Sequence, residues 1–184
     1  MGNRMWSMGG EGGRDFESSV LPHLDAAYNL ARWLMRDPTD ADDILQEAVL
    51  RALTYYSSFR GDNARGWLLQ IVRNTAYASM KLGRTLRTVP LATGDDATAA
   101  MPEPSDPGDD PERALLKARA HESVDRLLAT LPAELREAIV LRELEELSYK
   151  EIAQITQAPI GTVMSRLWRA RQLLAEAAQR EAVP

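Results

Sequence analysis

"LSYKEIAQITQAPIGTVMSRLWRARQLL", Leu147–Leu174, reads as two short helices around a tight turn. Ser148 and Glu151 make S-x-x-E, a capping box that opens the first helix. Ile152 and Ile155 point inward on it, and "TQAPIG" supplies the turn. The second helix sets Val163, Leu167, Ala170 and Leu174 on one face, at helical spacing. Thr162, Ser165, Trp168, Arg169 and Gln172 share its other face, with Arg166 and Arg171 on the margins. An ordinary amphipathic helix hairpin would show the same apolar stripe. The cap, the tight turn and a cation-bearing outer face with one aromatic favour a recognition helix in a major groove. An Arg there can bond a guanine edge bidentately, worth about 1–3 kcal/mol of discrimination. Ser and Thr can bond phosphates or base edges.

Two further helices are expected upstream of this hairpin, one over roughly Pro111 to Thr130. The other starts with Pro132 in its first turn and runs through "AELREAIVLREL".

A DNA reader should carry positive charge, yet the whole 184-residue chain has 27 acids against 22 bases, net −5. The acid is concentrated in residues 90–112, "PLATGDDATAAMPEPSDPGDDPE", which hold seven acids, no base and five prolines. That composition buries little and reads as an extended or disordered linker. The segments on either side each hold 11 Lys/Arg and 10 Asp/Glu. Within them the bases cluster. Residues 60–89 carry Arg60, Arg65, Arg73, Lys81, Arg84 and Arg87 against the single acid Asp62. Local basic patches suit phosphate whatever the net charge.

Composition narrows the class. Hydrophobic residues reach 45% and aromatics only 6%, with Ala, Leu, Arg and Glu prominent, which favours helix. There is no cysteine, so disulfides and thiolate zinc sites are excluded. His23 and His121 stand far apart, each read as a surface or boundary residue, and no metal site or cofactor is expected. No apolar run reaches the roughly 18 residues that span a membrane. The start, "MGNRMWSMGGEGGRDF", lacks the apolar core of a secretory signal and reads as a glycine-bearing tail. A cytoplasmic location is expected.

In the first half, Leu24, Ala27, Tyr28, Ala31, Leu34 and Met35 follow helical spacing, with Pro22 in the first turn and Asp37-Pro38 as the stop. The next helix is expected to begin at Thr39 or Asp40 as N-cap. Leu45, Ala48, Val49 and Ala52 form its stripe, and Asp43, Gln46, Glu47 and Leu50 lie largely outside it. That acidic face is either solvated or a docking face for a basic partner. Gly61, Asp62 and Asn63 mark a loop. Trp67, Leu68, Ile71, Val72 and Thr75 then resume a stripe, which makes Trp67 core. Phe59 at the loop edge and Asn74 in mid-helix fit a core role less well. Aromatics beside a basic loop suit single-stranded nucleic acid, where rings stack on bases and a pocket accepts an unstacked base.

Three stretches together resemble one family: "DADDILQEAVLRAL", "FRGDNARGWLLQIVRNTA" and "LPAELREAIVLRELEELSYKEIAQITQAPIGTVMSRLWRARQLL". Their order and spacing, with an acidic linker between, are similar to the two-domain, extracytoplasmic-function class of bacterial RNA polymerase sigma factors. The fold this implies is all-α, two small helical domains joined by an acidic flexible linker. The expected limits are a tail at 1–14, a first domain at 15–89, the linker at 90–112 and a helix-turn-helix domain at 113–178.

The resemblance also implies roles. The acidic helix would dock on the β′ subunit of core RNA polymerase through Asp43, Gln46 and Glu47. Phe59, Arg60, Asp62, Asn63 and Asn74 would take the melted −10 strand, one base turned into a pocket. Ser165, Trp168 and Arg169 would read the −35 duplex, while Thr162, Arg166 and Arg171 hold phosphates or the domain's own packing. The second domain would also meet the β flap. The linker would thread through polymerase, its acid matching a channel built for RNA. An anti-sigma factor is an implied partner. The chain departs from the family at Gln157, where relatives often have Gly, at Met164, where many have a cation, and at Ala78, where an Asp is usual. Its loop "GDNARG" is also slightly short.

No nucleophile–base set or phosphate loop is visible, so an enzyme is not expected. Two other readings stand beside the sigma factor. One is a stand-alone helix-turn-helix regulator. The other is a sigma-like decoy that binds an anti-sigma factor.

Overall fold

The computed structural model describes residues 11–87 and 123–182, with side chains at 15–83 and 123–180. The expected linker, most of the tail, His121 and the first part of the 111–130 helix lie outside the described residues. All regular structure among the described residues is helical. The helices are α1 (Glu11–Val20), α2 (Leu24–Met35), α3 (Pro38–Tyr55), α4 (Ala64–Arg87), α5 (residues 123–129), α6 (Ala133–Ile139), α7 (Tyr149–Thr156) and α8 (Ile160–Ala182). α1 begins inside the glycine-bearing start, and α8 runs four residues past the expected limit at 178.

α2, α3 and α4 pack on one another, and α6, α7 and α8 do the same. Each group buries one face of its helices, only partly the expected stripe: Leu24, Tyr28 and Met35 on α2 and Trp67 and Ile71 on α4 are half-buried at the flank. Ala27, Leu30, Ala31 and Leu34 are buried on α2, and Leu68, Leu69, Val72 and Ala76 on α4. Val163, Leu167 and Ala170 are buried on α8. The stripe on α3 is rotated from the expected one. Ala41, Ile44, Ala48 and Ala52 are buried, while Leu45 and Val49 are half-buried at its flank. Small alanines let α2 and α4 approach α3 closely, and the larger Leu and Val fit only at the edge.

Three local features differ from the sequence reading. The N-cap of α3 is Asp37, whose side chain accepts from Thr39 N at 2.8 Å. Pro38 takes the first helical position, where it has no N–H to leave unpaired. Next, "VLREL" is not α-helical. Val140–Leu144 forms a π turn, closed by Glu145 N donating to Val140 O. The turn leaves Glu146 left-handed at φ 54° and brings the Arg142 guanidinium onto Leu147 O at 2.8 Å. Finally, Phe59 is half-buried rather than free, because its ring lies 4.8 Å from Trp67 and 6.1 Å from Tyr56.

The two groups are not separate beads. One continuous apolar core runs from Phe16 to Ala170, and α4 packs against α7 while α2 packs against α6. Polar contacts seal this joint. Arg73 pairs with Glu137, Arg65 with Glu145 and Arg32 with Asp125.

Candidate nucleic-acid interface

Three surfaces carry the residues singled out above. On α3, Asp43, Gln46 and Glu47 are all exposed, on the side away from Ala41, Ile44 and Ala48. Glu47 pairs with Arg51 one turn on. Acids in a first turn suit the helix dipole by themselves. Here they also crowd: burial, then Asp37 and Asp43, raise the Asp40 carboxyl above the ordinary carboxylate range. The first half of α3 therefore projects a concentrated negative field that a basic partner would relieve.

The second surface surrounds the 59–63 loop. An open pocket of about 670 Å³ is lined by Ser19, His23, Phe59, Asp62, Asn63 and Arg65 among others. Its apolar side is Tyr56 and Phe59, whose rings pack on Trp67, with Phe16 edge-on to Tyr56 at 5.3 Å. Its polar side offers hydroxyls, the Asp62 carboxylate and a His23 ring. Burial and then Arg65 lower the His23 pKa, so the ring is neutral at pH 7. Asn63 has a structural duty as well: its Oδ1 accepts from Gly66 N at 2.8 Å, capping α4. Gly66 permits this, since a Cβ there would stand 2.7 Å from Asn63 Nδ2. Arg60 turns back and donates to Ser57 O at 2.6 Å. Asn74 is exposed nearly three turns along α4 and does not line the pocket. The structure thus gathers Phe59, Asp62 and Asn63 at one pocket and leaves Asn74 on the adjoining helix face.

The third surface is the outer side of α8. The capping box is present in both directions: Ser148 Oγ accepts from Glu151 N, and Ser148 N donates to the Glu151 carboxylate at 2.8 Å. Ser148 Oγ–H also donates to the Glu151 carboxylate at 2.7 Å, and that bond, then the one from Ser148 N, lowers the Glu151 pKa. Gln157 ends α7 in the left-handed region at φ 51°, ψ 39°, the conformation that a turn glycine would adopt without strain. α8 then presents Ser165, Trp168 and Arg169 to solvent, Trp168 with 66% of its surface exposed. Arg169 has no ion-pair partner among the described residues. Thr162 is half-buried at the start of the helix. Arg166 and Arg171 are engaged within the chain, with Glu134 at 2.9 Å and Glu143 at 2.7 Å. Their guanidinium groups brace α8 against Glu134 of α6 and Glu143 of the π turn. An exposed apolar row, Ile160, Met164 and Trp168, borders the cationic face.

The sequence reading missed the acceptors of the joint. Glu137 and Glu145 are buried, with Asn29 donating to Glu145 at 3.3 Å and Tyr77 O–H donating to Glu137 at 3.3 Å. The available signal was the basic run at 60–89, which includes both of their arginine partners.

Comparison with known proteins gives this geometry a family. Residues 20–84 match the family described as Sigma-70 region 2, and residues 121–174 match Sigma-70, region 4. The chain is 35% identical over 175 residues to the RNA polymerase sigma-H factor of Pseudomonas aeruginosa, covering 90% of this chain and 87% of that protein. It is 39% identical over 141 residues to the ECF RNA polymerase sigma-E factor of Escherichia coli K12, covering 73% and 72%. Among solved structures it is similar to the sigma factor RpoE of Bartonella quintana in complex with the anti-sigma factor NepR. That match has 29% identity and a TM-score of 0.73, over 90% of this chain and 98% of that one. CnrH, in complex with the cytosolic domain of CnrY, shares the fold at 24% identity and a TM-score of 0.62, over 92% and 90%. With both sigma regions in order, and relatives matched along most of their length, the chain belongs to the extracytoplasmic-function class of sigma-70-type RNA polymerase sigma factors.

Proposed function

We propose that the three surfaces divide the work of promoter-specific initiation. The acidic face of α3, through Asp43, Gln46 and Glu47, docks on core polymerase, which does the chemistry. The pocket at Phe59, Asp62 and Asn63 takes an unstacked base of the melted −10 strand, with Arg60 and Asn74 alongside. The outer face of α8, through Ser165, Trp168 and Arg169, reads the −35 duplex. Thr162 starts that helix, and Arg166 and Arg171 hold it in place. The linker at 90–112, with its seven acids, joins domains at 15–89 and 113–178 and occupies a basic path in polymerase. The protein acts in the cytoplasm, where its template is. An anti-sigma factor is its expected regulator, as NepR is the partner named for the Bartonella quintana relative.

The observation that carries this reading is the free outer face of α8. A helix whose inner side is core and whose margin arginines are already paired still shows solvent an exposed Trp168 and an exposed Arg169 that has no ion-pair partner among the described residues. Burial accounts for Val163, Leu167 and Ala170 and internal pairing for Arg166 and Arg171, and neither accounts for Trp168 or Arg169. Two modest contacts on one chain gain by effective concentration, so the spacing between the elements should be strictly limited. In vitro transcription with core polymerase on a genomic DNA library, reading 5′ ends, tests it. Discrete start sites sharing two spaced elements are expected. No discrete start site, or tight duplex binding without polymerase, would overturn it.

A further inference from the structure

Four arginines of the first half are held by acceptors of the second. Arg32 meets Asp125 at 3.1 Å, Arg36 donates to Ala129 O at 2.8 Å, Arg65 meets Glu145 at 2.5 Å and Arg73 meets Glu137 at 2.7 Å. The last two pairs stand apart. The Glu137 side chain has no exposed surface and that of Glu145 has 6%. Their arginines both lie on α4, the helix that leaves the 59–63 loop, and Arg65 itself lines the pocket there.

The registers also match. Eight residues separate Arg65 from Arg73, and eight separate Glu137 from Glu145, taken in opposite chain directions. Eight helical residues are about 2.2 turns and a rise of about 12 Å, so the two arginines leave α4 about 80° apart around its axis. α4 therefore offers two cations at a fixed separation, and the chain's own carboxylates fill both places.

A carboxylate and a phosphodiester present the same group to a guanidinium, a negative charge spread over two oxygens. We infer that Arg65 and Arg73 form a two-point anion site, held in turn by Glu145 and Glu137 of this chain and by two phosphates of a single DNA strand. This rests on the pocket's taking a base of that strand, as proposed above. A base seated against Phe59 brings its own backbone past Arg65 and along α4. Nucleic acid is favoured over other anions because the site adjoins an aromatic-walled pocket, and stacking plus paired cations is the chemistry of single-strand capture.

The consequence is competition within the molecule. While Glu137 and Glu145 hold these guanidinium groups, Arg73 is largely covered, with 16% of its side chain exposed, and Arg65, 33% exposed at the pocket, already has an anion on it. The strand's apparent affinity is then reduced by the fraction of molecules that have opened. Asp43 and Gln46 on α3 stay exposed in this closed arrangement. Polymerase can engage them first, and the strand displaces the two glutamates afterwards.

The test uses the full chain and a fluorescein-labelled pool of random single strands of about 12 nucleotides, within the usual range of single-strand sites. Binding is read by anisotropy. Glu145→Gln should tighten binding at least about threefold, because it raises the open fraction. Arg65→Gln and Arg73→Gln should each weaken it. The same pool with uncharged methylphosphonate linkages should bind the wild type and Glu145→Gln alike. The absence of cysteine allows a second readout without any change at the joint. A dye pair on Ser57→Cys and Gln179→Cys should lose energy transfer when the charged pool is added, and keep it with the methylphosphonate pool. Thermal melts confirm that each variant is folded. Wild-type affinity in Glu145→Gln, or unchanged binding in both arginine variants, overturns the inference while −10-dependent transcription persists. Loss of discrete start sites in the wild-type transcription assay would instead remove the function on which it rests.

Discussion

Arg73 Nε lies 2.7 Å from Glu137 Oε1, and the glutamate has no exposed surface. The ring of Tyr77 sits under the same guanidinium at 4.6 Å, and its O–H donates to the other carboxylate oxygen. Burial raises the Glu137 pKa, against the opposing pull of Arg73 and Tyr77. The folded chain therefore holds this proton at pH values where the unfolded chain has released it. By linkage, stability then falls as pH rises from the ordinary carboxylate value through the raised one. Glu137→Gln removes this titration. Relative to wild type, its melting temperature should climb as pH goes from about 4 to 7. A constant difference across that range would mean that Glu137 does not titrate in it.

Removing the side chain altogether should behave differently. Glu137→Ala leaves the Arg73 guanidinium, with 16% of its side chain exposed, without its counter-charge. A cost of about 3–5 kcal/mol is expected, measured by urea unfolding. The loss should be much larger than for Glu137→Gln at the same pH.

The turn of the helix-turn-helix stores strain at Gln157, left-handed at φ 51°. Gln157→Gly should stabilise the protein by about 0.5–1 kcal/mol, because glycine adopts that conformation without its Cβ meeting a carbonyl. Thermal unfolding checks it, and a lower melting temperature would contradict the strain.

Ser148→Ala removes the acceptor for Glu151 N and should cost about 1 kcal/mol. It should also weaken one pH dependence. The capping bonds lower the Glu151 pKa, so their stabilisation is present above the ordinary carboxylate value and is lost as pH falls through the depressed one. Melts of both proteins at acid and neutral pH should converge toward the acid end.

On α8, neighbouring arginines should separate stability from promoter choice. Arg166 braces Glu134 across a partly exposed pair, so Arg166→Ala should cost no more than about 1 kcal/mol. Arg169→Ala touches no ion pair among the described residues and should leave the unfolding free energy within about 0.5 kcal/mol of wild type. It should nevertheless reduce transcription from promoters with a matched −35 element more than from those without one. Equal loss on both classes would remove Arg169 from base reading. Asp43→Arg should leave the fold intact and lower recovery of core polymerase in a pull-down.

Much of the site could be read from residues close in sequence. Ser148 and Glu151 cap one helix three residues apart. The apolar period of α8 orients its outer face, and the Gly61-Asp62-Asn63 run breaks the chain where the pocket forms. The same reading did not see that Asn63 caps α4, or that Phe59 closes an aromatic cluster with Trp67 and Tyr56. It assigned Phe59 to the loop edge because nothing local shows which ring it meets.

The order of polar and apolar residues by itself determined most of the helices, the capped turn and the outward-facing side of α8. Each of these depends on neighbours within a turn or two, where spacing alone sets direction. Only the tertiary structure decided which arginines are free and which are held. Arg65 and Glu145 are 80 residues apart, and no local pattern encodes their meeting. It arises because α6 packs on α2 and α7 on α4 over a shared core, and that packing brings each buried carboxylate to a cation that offsets its loss of water.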